Sequence, residues 1–258
     1  MKPDLSSLLR DLQDEHAALD ERVAGLTEEQ WRTPTPAEGW DIADCISHLT
    51  YFDGTAGLAL TDADAFAAHV TELFGNLDSG ADTAIGRGQS GADLLAQWRA
   101  GRAALVDLAT AADPSVRVPW YGPPMSLASF VTARLMETWA HGQDVSDALG
   151  LAPVTSDRLK HVCHIGVGAR AYAYLVHEVP DGGAPVHVSL TGPGAGSWGP
   201  SDVPDRVSGT ALDFALLVTQ RRHLDDVDLT IEGDTAEQWM SIAQAYAGPA
   251  GTGRKPLS

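Results

Sequence analysis

The sequence predicts an α+β protein in two parts, an all-helical bundle over residues 1–150 and a small mixed domain over 151–258. Three observations carry this. Apolar residues recur at helical spacing in four long segments of the first part, with no alternating run among them. Strand-like alternation starts only late, in Val186-His-Val-Ser-Leu-Thr191 and Val227-Asp-Leu-Thr-Ile231. Between the parts, Leu149-Gly-Leu-Ala-Pro153 stops a helix and Thr155-Ser-Asp157 offers a fresh cap. A length of 258 residues suits about two domains of roughly 100–150 residues.

In the first helix, apolar residues fall at 5, 8, 9, 12, 19, 23 and 26, one buried stripe, and His16 lies on it as an expected core histidine. A Pro- and Gly-containing loop over 33–40 ends at Asp41, a good N-cap for a second helix with Ile42, Ile46, Leu49 and Phe52 on one face. On that helix His48 sits at the margin of the apolar face, Cys45 one turn earlier, and Asp53 projects inward. A polar stretch around 75–91 leads into a third helix over 93–112. Residues 113–124, with Val118-Pro-Trp-Tyr-Gly-Pro-Pro124, are too proline-rich for a helix and too aromatic for an idle linker. The fourth helix spans about 126–149, completing a four-helix bundle. The second part reads as a helix over 156–179, the strand at 186–191, a Gly/Pro loop over 192–200 and a helix over 210–223. The strand at 227–231, a helix over 235–247 and a frayed tail over 248–258 follow.

Charge narrows the partners. With 35 acidic against 17 basic residues the formal charge is −18, which argues against nucleic acid or an anionic membrane, since phosphate binding needs a basic face. Cys45 and Cys163 make no disulfide framework. No run approaches the ~18 apolar residues of a membrane span. The opening MKPDLSSLLRDL carries acids where an export signal carries a basic and then an apolar region. The expectation is a soluble, cytoplasmic monomer or homodimer acting on small molecules.

Chemistry concentrates in the fourth helix, Arg134-Leu-Met-Glu-Thr-Trp-Ala-His-Gly-Gln-Asp144. Glu137 and His141 are one turn apart on one face, His141 near the centre of the buried stripe and Glu137 at its edge. Directed into a bundle interior, such groups must be paired or metal-bound, because unpaired burial costs several kcal/mol. Asp144 is spaced to orient the His141 imidazole. The alternative at this stage is a plain Glu–His ion pair on a half-exposed helix edge. His48 changes the balance. If the second helix faces the fourth, His48, Glu137 and His141 make a two-histidine, one-carboxylate site with an open position, the catalytic pattern for zinc.

The residues Gly39-Trp40-Asp41, His48-Leu49 and Glu137-Thr-Trp-Ala-His141 with Asp144 resemble the DinB-like metal-dependent bundle proteins. The likeness is greatest to the branch of mycothiol-dependent maleylpyruvate isomerases, which also follow the bundle with a small α/β domain. The resemblance implies His48, Glu137 and His141 as metal ligands. Zinc is the usual ion, and iron(II) or nickel(II) suits the same donors. It implies mycothiol as the thiol cosubstrate, and isomerisation of, or thiol transfer to, a small electrophile. It also implies an arginine from the second domain, for which Arg222 as a catalytic group and Arg221 as a substrate clamp are the nearest equivalents. Their alternative is a solvated helix end complementing the dipole. Asp144 and Asp53 are candidate acid–base or orienting groups, and Trp120, Tyr121, Pro123 and Met125 candidate pocket walls. The same ligands also suit a non-haem iron oxygenase, a hydrolase or a non-catalytic binding module. A di-iron centre is disfavoured, since only one Glu-x-x-x-His occurs. The cluster His161, Cys163 and His164 lies on one helix with no second ligand pair and reads as structural.

Overall fold

A computed structural model describes residues 4–75 and 80–257 of the chain. They divide into two compact units, the first ending at Val154 and the second beginning at Thr155.

The first unit is helical. Helix α1 (Leu5–Val23) buries Leu8, Leu9, Leu12, His16, Leu19 and Val23 on one stripe. A short α2 (Glu28–Trp31) is closed by reciprocal capping between Thr27 and Gln30. Helix α3 (Ile42–Thr61) starts with the same device: the Asp41 side chain accepts from the Asp44 N–H while Asp44 accepts from the Asp41 N–H. Helices α4 (Ala63–Gly75), α5 (Ala81–Arg87) and α6 (Gly91–Ala111) follow, α6 capped by Ser90. Helix α7 (Leu127–Ala148), capped by Ser126, completes the bundle. The pairs α1–α7, α3–α6, α3–α7 and α1–α6 pack together, around a core that includes Leu19, Val23, Trp31, Ile46, Leu49, Leu94, Trp98 and Val145.

Several expectations are corrected. The second helix runs on to Thr61 and is followed directly by α4, which the sequence reading passed over. The polar stretch around 75–91 contains α5, while residues 76–79 of it lie outside the described residues. The proline-rich segment before α7 holds a two-stranded antiparallel ribbon, β1 (Arg117–Val118) and β2 (Met125–Ser126), where no strand was expected.

In the second unit the expected helix over 156–179 breaks at Ala169 into α8 (Leu159–Gly168) and α9 (Arg170–Val176). Strands β3 (His187–Thr191), β4 (Gly196–Trp198), β5 (Arg206–Thr210) and β6 (Leu229–Glu232) form one sheet in the order β4-β3-β5-β6. The β3–β5 pair is parallel, with Val188 opposite Val207, and the other pairs are antiparallel. Strand β4 sits inside the expected Gly/Pro loop, and β5 precedes α10 (Ala211–Val218) unannounced by alternation, its Gly209 and small polar residues blurring the pattern. Helices α8 and α10 approach so closely that a methyl group on Gly166 would lie 2.7 Å from Val218. Helix α11 (Asp234–Ser241) is shorter than expected. The tail is not frayed as expected: the Gly251 N–H donates to Gln244 Oε1 (2.8 Å) and the Leu257 N–H to the Asp226 carboxylate (3.0 Å). Among the described residues no helix is long and apolar enough to cross a membrane.

Candidate metal centre

Helices α3 and α7 pack side by side, and this places His48 against the Glu137–His141 turn. The two imidazole centroids are 4.5 Å apart. Glu137 Oε2 lies 3.9 Å from His48 Nε2 and 3.7 Å from His141 Nε2, and one donor atom from each residue falls within 4.8 Å of the others. The side chains of His48, Glu137 and His141 are 17%, 22% and 8% exposed, so the cluster is sunk in the bundle yet open on one side. Aromatic rings enclose it. Trp40, from the loop that caps α3, stacks on His141 (5.7 Å between centroids, 11° between planes), and Phe52, one turn after His48, packs 4.6 Å from its ring.

Carboxylates back both imidazoles. Asp82 of α5 accepts from His48 Nδ1 at 3.0 Å, and this hydrogen bond holds its carboxyl below the usual carboxylate range against the opposing effect of burial. In the neutral ring with Nδ1 as the donor, the lone pair is on Nε2, the nitrogen that lies on the Glu137 side. Behind His141, Asp144 Oδ2 lies 3.6 Å from Nδ1. Cys45, His141 and Asp144 also offer donor atoms within 4.8 Å of one another, but that group is entirely buried.

The donor set fits a divalent ion. Two imidazoles and an anionic carboxylate oxygen converge at 3.7–3.9 Å, an arrangement of electron-pair donors that a cation between them would stabilise. Bonds of ~2.0–2.1 Å at near-tetrahedral angles put neighbouring donors roughly 3.3–3.4 Å apart, and the two carboxylate–imidazole separations exceed that by about half an ångström or less. The hydrogen bond from His48 Nδ1 to Asp82 matches the usual outer support of metal-bound histidine.

Other candidates occupy defined places. Asp53 is buried and receives Arg134 through Nε (3.1 Å) and Nη2 (2.9 Å), an ion pair in the bundle interior. His16 packs edge-on against Trp98, 6.0 Å between centroids. Trp120 and Tyr121 pack against both Phe52 and Phe66, and the Tyr121 hydroxyl is 3.0 Å from His69 Nε2. These aromatics therefore extend the wall that begins at His48. Met125 is half-buried in β2 opposite Val118. A cleft of about 670 Å3 runs along α3 past Tyr51 and Thr55 toward His69, Glu72 and Gln97. In the second unit, Arg221 and Arg222 lie beyond the end of α10, where Gln220 adopts a left-handed φ of 55° and both arginine N–H groups return to Leu216 O. Their guanidinium groups donate to Thr219 O (2.6 Å) and Arg221 O (2.8 Å). His164 Nδ1 accepts from Trp198 Nε1 at 3.3 Å, and Cys163 faces Ala211 O.

Sequence reasoning missed Asp82, which lies 34 positions from its partner in a stretch read only as polar, and no local spacing marks it. It also left Trp40 without a role.

Residues 12–146 match the family described as mycothiol maleylpyruvate isomerase N-terminal domain. An uncharacterized protein of Mycobacterium tuberculosis, found in strains CDC 1551 / Oshkosh and ATCC 25618 / H37Rv, is 44% identical over 255 residues, covering 97% of this chain and 99% of the relative. Among solved structures, the mycothiol-dependent maleylpyruvate isomerase is similar with a TM-score of 0.61 at 15% identity, covering 88% of this chain and 93% of that one. A histidine-to-alanine variant of it gives 0.59 at 14%. At these identities the structural likeness establishes the shared fold.

Proposed function

The chain belongs to the mycothiol maleylpyruvate isomerase family, and we propose on that footing that it is a zinc-dependent enzyme that activates a low-molecular-weight thiol, mycothiol, toward a small electrophilic organic substrate. The observation that carries this reading is the convergence of His48, Glu137 and His141 at one opening of the bundle. Those three residues would hold the ion. When bound there, it supplies positive charge that lowers the pKa of a neighbouring thiol and favours the thiolate at neutral pH.

The chain's own residues do the rest. Asp82 and Asp144 orient the two imidazoles from behind. Trp40, Phe52, Trp120 and Tyr121 exclude water from one side and present an apolar wall to the substrate. Addition of the thiolate sulfur to an electrophilic alkene carbon breaks the C=C π bond and leaves the electron pair on the neighbouring carbon. After rotation about the resulting single bond, expulsion of the thiolate re-forms the double bond and isomerises the substrate. Protonation of that carbon by the proton the thiol released instead retains the C–S bond and transfers the thiol.

The test is metal analysis of protein purified without added metal, combined with calorimetric titration of mycothiol into wild type and Glu137→Gln. The expected result is about one zinc per wild-type chain, with metal and thiol binding both lost in the variant. Iron with dioxygen uptake, or thiol binding indifferent to Glu137→Gln, would overturn the proposal.

A further inference from the structure

We infer that Asp82 is a positioning residue for the metal centre, and that α5 is held against α3 so as to place it. The inference rests on the metal-dependent reading above and concerns a residue outside the three donors.

The geometry is specific. Consecutive residues of α3 grip one residue of α5: the Ser47 hydroxyl donates to the Asp82 carbonyl at 2.8 Å, and His48 Nδ1 donates to the Asp82 carboxylate at 3.0 Å. Ser47 Oγ also accepts from the Gly86 N–H at 3.0 Å, so one buried hydroxyl ties both ends of a single turn of α5. The approach is as close as backbone allows, since a methyl group on Gly86 would sit 2.8 Å from the Ala43 carbonyl oxygen and 3.1 Å from Ser47 Cβ. Farther along, Arg87 Nε donates to the Asp44 carboxylate at 3.0 Å, and Arg32 donates to the Gly86 carbonyl at 3.0 Å.

These contacts fix where the Asp82 carboxylate lies relative to α3, and hence how the His48 ring is turned. An imidazole has two nitrogens and two side-chain bonds about which it can turn. By accepting a hydrogen bond from Nδ1–H, Asp82 selects the tautomer with its lone pair on Nε2 and turns that atom toward Glu137 and His141. Without Asp82, either nitrogen can carry the proton and the ring can turn away from the cluster. His141 has its own carboxylate in Asp144, so the two imidazoles are oriented independently, one from within α7 and one from α5.

The test has two readouts besides activity. In metal-free protein, nitrogen-15 spectra of the imidazoles should show His48 as the Nδ1–H tautomer in wild type and as a tautomer mixture in Asp82→Ala. By chelator competition, Asp82→Ala should bind zinc 10–100-fold more weakly than wild type, Asp82→Asn should recover part of the loss, and Gly86→Ala should weaken zinc binding with Asp82 intact. A His48 tautomer unchanged in Asp82→Ala, or zinc affinity within about twofold of wild type in that variant while Glu137→Gln loses the ion, would overturn the role of Asp82 and leave the metal reading standing. Failure of wild type to bind zinc would overturn both. If Asp82→Ala does not fold, the same two measurements on Asp82→Asn and Gly86→Ala decide the matter.

Discussion

His16 offers a quantitative test of the bundle interior. It is 3% exposed, and burial, aided by the Arg102 and Arg134 guanidinium groups, pushes its pKa down from 6.5 to about 3. Its Nε2 has no hydrogen-bond partner among the described residues, so nothing there rewards protonation. Between pH 6.5 and 3 the unfolded chain therefore binds a proton at this position that the native state refuses. Stability contributed by neutral His16 is fully present above pH 6.5 and is lost as pH falls through that window. The loss is about 1.4 kcal/mol per pH unit well inside the window, or about 2.5 kcal/mol between pH 7 and 4.5. The perturbation is His16→Leu, which removes the titration while keeping an apolar side chain of similar size. Urea unfolding at pH 7 and pH 4.5, followed by tryptophan fluorescence to which the neighbouring Trp98 contributes, gives both stabilities. Acidification should cost wild type about 2.5 kcal/mol more than the variant. Equal losses in the two proteins would refute the reasoning, because all other titrating groups are common to both.

The buried Asp53–Arg134 pair predicts that Asp53→Ala alone destabilises by about 3–5 kcal/mol, since it strands a buried guanidinium; chemical denaturation of the two single variants and the double variant should show the double one losing less than the sum. Gly199→Ala should destabilise the second unit by more than about 1 kcal/mol, because the glycine has a φ of +77° and its new methyl group would sit 2.3 Å from the Val186 carbonyl oxygen; a melting temperature unchanged by calorimetry would contradict this. Cys163 is buried and its thiol is pushed up to about 12 by that burial. It should resist iodoacetamide at pH 8 in native protein and react on denaturation, as peptide mass spectrometry can follow.

The parts of the fold legible in the sequence are those whose signal lies within one element. The apolar stripe of α1 and the Asp41 cap of α3 need only a helical period and a side chain that reaches its own backbone. What was missed depends on a partner. Helix α5 is seven residues long, too short to show a period, and it persists because Ala43, Ser47 and Gly86 are small enough for two backbones to meet. The ribbon of β1 and β2 has two residues per strand, which leaves no alternation to read. Strand β5 exists because Val207 pairs with Val188 on one side and Ile231 on the other, and neither neighbour is near it in sequence.

The candidate site divides along the same line. Glu137 and His141 are related by helical geometry alone, so their common face follows from spacing, whereas the approach of His48 needs the register of α3 on α7, and Asp82 needs a third helix. One trait of α7 nonetheless points to the opening from within a single element. From Arg134 to Ser146 every residue is buried except Glu137, so neighbours enclose the helix all round apart from one gap, and the residue filling that gap is a carboxylate. A helix interior that merely needed filling would place an apolar side chain there, because a half-buried acid loses hydration without gaining packing. A carboxylate at the single gap, with Nε2 of His141 and of His48 aimed at it from 3.7 and 3.9 Å, is what a site for a cation requires and what packing alone does not.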